Sequence, residues 1–73
     1  MHEKITDVKN GAKGTIVDLK GEERFLNRII AMGLTIGCQI EVIQNHGKLP
    51  VLIYARDTLI SLARNEAEKI MIG

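Results

Sequence analysis

Apolar positions fall into short groups separated by glycines, and their spacing changes from two, to three and four, and back to two. In residues 14–19 the β-branched Thr15, Ile16 and Val17 predict a strand, with Thr15, Val17 and Leu19 on one face. Gly21 ends it. Over residues 22–32 the period lengthens. Phe25, Leu26, Ile29, Ile30 and Met32 share an arc of about 160° at ~100° per residue, which predicts an amphipathic helix. Glu22 and Glu23 lie in its first turn, where carboxylates complement the helix dipole. Gly33-Leu34 has the pattern of a left-handed C′ glycine followed by the apolar residue of a Schellman stop. Ahead of all this, residues 5–8 suit a short strand or a single turn, ending at Asn10-Gly11.

The second half reads as a meander. Residues 38–44 alternate, with Cys38, Ile40 and Val42 on one face and Gln39 and Glu41 on the other. Asn45-His46-Gly47-Lys48 has turn character, and residues 50–56 form the return strand with Pro50 at its start, where a missing N–H is tolerated. Asp57-Thr58 connects to a strand over 59–63 in which Ile60 and Leu62 share a face. Asn65 is placed to cap a helical turn through Glu66-Ala67-Glu68, and residues 69–72 close the fold with Ile70 and Ile72 inward. The expected class is mostly β: about five strands, one amphipathic helix after the first of them, and a short helical turn before the last. Closing the strands into a small barrel would limit exposed edges.

Composition narrows the function. The 73 residues make one small domain, and 45% of them are apolar, enough for a single core. Ten basic and nine acidic residues give a formal charge of +1, without the basic excess of a nucleic-acid binder or a polybasic membrane anchor. The longest nearly apolar run, residues 29–38, contains Thr35 and two glycines and falls short of the ~20 residues of a membrane span. Met1-His2-Glu3-Lys4 has no apolar stretch behind it and shows no signal peptide, so a cytoplasmic domain without membrane insertion is expected.

The residue types offer little for catalysis. Cys38 is the lone cysteine, which excludes an internal disulfide and a Cys-only metal site. It stands at a strand start with no histidine close in sequence, the setting of a small buried hydrophobe rather than a nucleophile. Ser61 is the only serine. His2 and His46 lack a second ligand at a metal-binding spacing, and Gly11-Ala12-Lys13-Gly14 lacks the gap and the Lys-Ser/Thr pair of a P-loop. No catalytic residue, metal site or cofactor is assigned, and a non-enzyme is expected. With only Phe25 and Tyr54 as aromatics, the chain cannot line a groove for proline-rich peptides or stack single-stranded nucleic acid. The polar side of the helix carries Arg24, Asn27, Arg28 and Ala31. Its two arginines have no acidic partner three or four residues away. Three readings are open: a solvated face, pairing with a carboxylate elsewhere in the fold, or contact with an acidic partner.

The order of these elements resembles the ferrous iron transport protein A (FeoA) family. The strand over 14–19 is followed by Gly21, the helix with Arg24, Phe25, Leu26 and Arg28, the Met32-Gly33-Leu34 stop, and Thr35-Ile36-Gly37-Cys38. After them come Leu49-Pro50-Val51, Leu59-Ile60-Ser61-Leu62-Ala63 and Asn65-Glu66-Ala67-Glu68-Lys69-Ile70. The resemblance runs over residues 5–72. It departs at Arg56-Asp57, where many members have a glycine-containing turn, and at Asn27, which makes the helix less basic than in some relatives. It implies an SH3-like barrel with an inserted helix. It also implies a role beside the membrane-embedded ferrous iron transporter (FeoB), whose amino-terminal cytosolic part binds GTP.

On this reading the chain acts by protein–protein contact. Arg24 and Arg28 offer guanidinium forks to acidic side chains, while Leu34, Ile36, Leu49 and Pro50 offer apolar surface beside them. Leu34 and Ile36 read equally well as core. One alternative is a regulatory module working with an iron-dependent transcriptional repressor, since SH3-like domains form the carboxy-terminal part of such repressors. Another is direct iron binding, for which no clustered ligand set is present in the sequence. The pattern leaves the oligomeric state open.

Overall fold

The computed structural model describes residues 2–73. Its strands are β1 (Glu3–Lys4), β2 (Lys13–Leu19), β3 (Gln39–Gln44), β4 (Val51–Ala55), β5 (Thr58–Leu62) and β6 (Ile70–Ile72). Helix α1 (Glu23–Ala31) lies between β2 and β3, the short α2 (Arg64–Ala67) lies between β5 and β6, and a 3-10 turn occupies Ile5–Asp7. The strands form one antiparallel sheet in the order β1-β6-β2-β3-β4-β5. β6 is thus inserted between the two strands that begin the chain.

The expected order of elements is present, with two differences at the sheet level. A sixth strand, β1, pairs with β6 over two residues. The sheet does not close: β1 stands at one edge and β5 at the other. The chain leaves β1 at the 3-10 turn, where Ile5 drops into the core, so no strand is long enough there to reach across to β5. The barrel is an open one.

Ile16, Ile29, Leu34, Ile53, Leu62 and Ile70 are fully buried, and among the described residues no polar or charged side chain is. In β3, Ile40 and Val42 face the core as the alternation predicts, with Cys38 packed at its margin. In β2 the expectation that Thr15, Val17 and Leu19 share one face is corrected: Ile16 is the buried residue, and Leu19 packs against the same core from the side. The cause is a bulge: Ile16 pairs with Ile72 and Asp18 with Met71, so the extra Val17 shifts the phase of alternation.

Helix α1 stops as its sequence predicts. Gly33 has φ +91°, the Leu34 N–H donates to Ile29 O at 3.1 Å, and the Gly33 N–H donates to Ile30 O at 2.9 Å, the two bonds of a Schellman motif. Its buried stripe is narrower than expected. Phe25 and Ile29 are buried and Leu26 partly so, whereas Ile30 and Met32 are 49% and 39% exposed. The N-cap of α2 is Ala63, not Asn65. The Ala63 N–H donates to Glu66 Oε1 at 3.0 Å, one half of a capping box.

The turn between β4 and β5 is Arg56-Asp57, one residue earlier than expected. Both residues have positive φ, 53° and 61°, as a two-residue type I′ hairpin demands. Asn45, a turn residue by sequence, is a junction. Its Nδ2 donates to Val8 O at 2.7 Å and Thr6 O at 2.9 Å, and its Oδ1 accepts from Arg64 Nη2 at 2.7 Å. It thereby ties the amino-terminal turn and α2 to the loop after β3.

Candidate functional site

The polar side of α1 is where the sequence places two arginines, and both are exposed. Their surroundings differ. Arg28 forms an ion pair with Glu66 of α2, and the carboxylate is much the less exposed partner, 15% against 60%. One Glu66 oxygen holds the Ala63 N–H and the other holds Arg28, so this carboxylate both starts α2 and fastens it to α1. Among the described residues this is the one ion pair, and Arg24 has none. Between α1 and the α2–β6 segment lies a cleft of about 270 Å³ whose walls include Arg24, Phe25, Arg28, Glu66 and Lys69. The Lys69 ammonium sits 4.9 Å from the centroid of the Phe25 ring, within cation–π range. The cleft thus carries three cations against the Glu66 and Glu22 carboxylates.

The apolar candidates divide. Leu34 is fully buried as the C″ residue of the Schellman stop, so its side chain belongs to the core and is withdrawn from the contact set. Ile36, two residues on, is 64% exposed. It follows the carboxyl end of α1, where Ile30 and Met32 also face outward. Arg56 lies over the same end of the helix: a Cβ placed on Gly33 would stand 2.9 Å from Arg56 Cδ. A guanidinium there complements the negative end of the helix dipole.

Leu49 is 50% exposed and Pro50 is exposed beside it. Their loop is joined to α2 by Arg64, whose Nη1 donates to Leu49 O at 2.8 Å. The Leu49-Pro50 loop is thus joined to α2, which Glu66 fastens to α1, while Ile36 follows α1 in the chain.

Three contributors escaped the sequence reading. Glu66 is 38 positions from Arg28, and Lys69 and Arg56 come from connections after β5 and β4, so no local spacing marks any of them. A further groove of about 490 Å³ crosses β2, β3 and β4, with Lys13, Thr15, Gln39, Glu41, Tyr54 and Arg56 among its lining residues. It mixes both charge signs and one aromatic. Among the described residues, no group of three or more His, Cys, Asp or Glu side chains converges as metal ligands would, and no helix is long and apolar enough to cross a membrane.

Comparison with known proteins bears on both fold and kinship. A family model described as the FeoA domain matches residues 4–73. The crystal structure of an iron uptake regulatory protein, FeoA, superposes with a TM-score of 0.92 at 25% identity, over 99% of this chain and 96% of that one. Stenotrophomonas maltophilia FeoA, complexed with zinc and described as a prokaryotic SH3 domain protein, superposes with a TM-score of 0.79 at 16% identity, over 94% and 87% of the two chains. A manganese-dependent transcriptional repressor gives a TM-score of 0.90 at 12% identity, over 97% of this chain and 40% of its own. The last two likenesses establish the fold alone, which is SH3-like. No curated protein matches by sequence.

Proposed function

The chain belongs to the FeoA domain family, and from that premise we propose that it is a small cytoplasmic accessory protein of ferrous iron uptake. It works without catalysis of its own, by contact with the cytosolic side of the GTP-binding ferrous iron transporter. The observation that carries this reading is the surface of α1. Arg24, which has no ion pair among the described residues, stands on it, and Ile30, Met32 and Ile36 are exposed at its carboxyl end. Arginine beside exposed apolar side chains is a composition enriched at protein interfaces.

Arg24 is the free cation of the pair and makes the first contact with an acidic side chain of the transporter. Arg28 joins only by sharing or leaving Glu66. Ile36 supplies the apolar anchor, and Leu49-Pro50 extends the contact on the far side of α2.

Amide NMR tests this. Isotope-labelled protein is titrated with the purified cytosolic region of the transporter, with and without guanine nucleotide. Shifts should group on Arg24, Ile30, Met32 and Ile36, and Arg24→Glu should weaken binding at least about tenfold if it meets a carboxylate. Shifts confined to other faces would refute the surface, and no shifts at high concentration would refute the partner. Nucleotide hydrolysis by the isolated domain would refute the non-catalytic role.

The alternative, a regulatory module, rests on the likeness to the repressor. At 12% identity that likeness carries a fold and not a partner. It gains ground only if the chain binds a separate DNA-binding regulator and leaves the transporter region untouched.

A further inference from the structure

The two edges of the sheet are built differently. β1 is two residues long, and both are charged, Glu3 and Lys4, a common guard against edge pairing. β5 has no such guard. Thr58-Leu59-Ile60-Ser61-Leu62 holds no charge and no proline, and its register with β4 runs without a bulge from Ala55↔Thr58 to Val51↔Leu62. The two-residue turn sets which of its backbone groups are free. The closing pair, Ala55 and Thr58, exchanges both hydrogen bonds, and every second pair of an antiparallel ladder does the same. Thr58, Ile60 and Leu62 therefore direct their N–H and C=O groups to β4, while Leu59 and Ser61 direct theirs outward. Among the described residues, no backbone group from a turn or loop bonds to either of these two. Both side chains are exposed, Leu59 by 58%.

We infer that β5 pairs with β5 of a second copy of this chain, antiparallel, across a two-fold axis at Ile60. In that register Leu59 of each copy faces Ser61 of the other. The two outward residues are equidistant from Ile60, so one symmetry operation satisfies every free backbone group on both strands. Nothing on the strand repels its own image: all five residues are neutral, and the whole chain has a formal charge of only +1. The arginines at its two ends, Arg56 and Arg64, would approach each other across the axis, but both are held elsewhere. Arg56 lies over Gly33, and Arg64 is bonded to Leu49 O and Asn45 Oδ1. A single pair of short strands buries less than the ~1,200 Å² of a stable complex, so the dimer is weak and transient. It leaves Arg24 and the outer side of α1 free for the transporter.

Sedimentation velocity and amide hydrogen exchange of the intact chain, from about 10 μM to 1 mM, test this pairing across the range where it should form. The mass should rise from one chain toward two. The Leu59 and Ser61 amides should exchange quickly when dilute and slow with concentration, while Ile60, bonded to β4, stays protected throughout. The double variant Leu59→Lys, Ser61→Lys places lysine against lysine across the axis and should weaken association at least about tenfold. Should that variant fail to fold, the concentration dependence of wild-type exchange decides alone. A single-chain mass at about 1 mM overturns the proposal. So does association that survives in a folded double variant, or protection of Leu59 and Ser61 that appears only when the transporter region is added.

Discussion

Asn45 offers the sharpest test of what holds this fold together. Its carboxamide donates to Thr6 O and Val8 O and accepts from Arg64, joining three segments that share little other structure. Replacing it with alanine removes these three hydrogen bonds, strands two half-buried carbonyls and leaves one nitrogen of the Arg64 guanidinium without its acceptor. At about 0.5–1.5 kcal/mol for each neutral bond and somewhat more for the charged one, the loss should be about 2–4 kcal/mol. A domain of this size has about 4–11 kcal/mol in total at about 0.05–0.15 kcal/mol per residue, so between about a fifth and the whole of it is at stake. The melting temperature should fall by roughly 10–25 °C. Urea unfolding followed by far-ultraviolet circular dichroism measures this, and the slope should stay constant while the midpoint drops. Asn45→Asp separates shape from donors: it keeps the outline but turns a carboxylate toward the carbonyls of Thr6 and Val8. It should be at least as damaging as alanine. A loss under about 0.5 kcal/mol in Asn45→Ala, or an Asn45→Asp protein as stable as its parent, would refute the argument.

Other substitutions probe separate parts of the structure. Leu34→Ala should cost about 2–5 kcal/mol in denaturant unfolding, whereas Ile36→Ala should change stability by less than about 0.5 kcal/mol. Equal effects would undo the assignment of one to core and the other to surface. Arg28→Ala should cost less than about 1 kcal/mol because its side chain is largely exposed. Glu66→Ala should cost more, since the Ala63 N–H loses its acceptor as well; a reversed order in thermal melts would contradict the dual role of that carboxylate. The pair Arg56→Asn, Asp57→Gly should stabilise by about 1 kcal/mol, because asparagine and glycine accept positive φ at lower cost. A lowered melting temperature would mean that the Arg56 contact with the end of α1 outweighs the turn strain.

What could be read from the residues alone follows the range of each interaction. The helix stop at Gly33-Leu34, the inward Ile40 and Val42, and the inward Ile70 and Ile72 all rest on contacts within a few residues, and spacing reveals them. The bulge at Val17 breaks that logic, since one unpaired residue inverts every face assignment beyond it. Ile30 and Met32 share the arc of Phe25 and Ile29 yet face outward, because the helix is nine residues long and its apolar arc is wider than the surface it covers. For the candidate site, the exposure of Arg24, Ile36, Leu49 and Pro50 agrees with their selection as surface residues. Pairing with an unspecified carboxylate is one of three readings the residues allow for the arginines, and only the fold supplies Glu66 as the partner of Arg28. Asn45 reads like any turn asparagine, for its carbonyl partners Val8 and Thr6 are 37 and 39 positions away.

The insertion of β6 between β1 and β2 also bears on how the domain forms during synthesis. β1 gains its strand neighbour only when residues 70–72 exist, and the turn that follows it, met earlier by Asn45, packs on α2 and β6 only then, so the first strand must wait for almost the whole domain to be made. Only β2 to β5 can assemble beforehand, and they do so with one flank of β2 bare. Contacts so distant in sequence slow folding, because a long loop must close before any of them forms. The domain accordingly has no autonomous half. Removing three residues from the β6 segment would release β1 and the flank of β2 together and leave the 3-10 turn held by Asn45 and α2, rather than fraying one end.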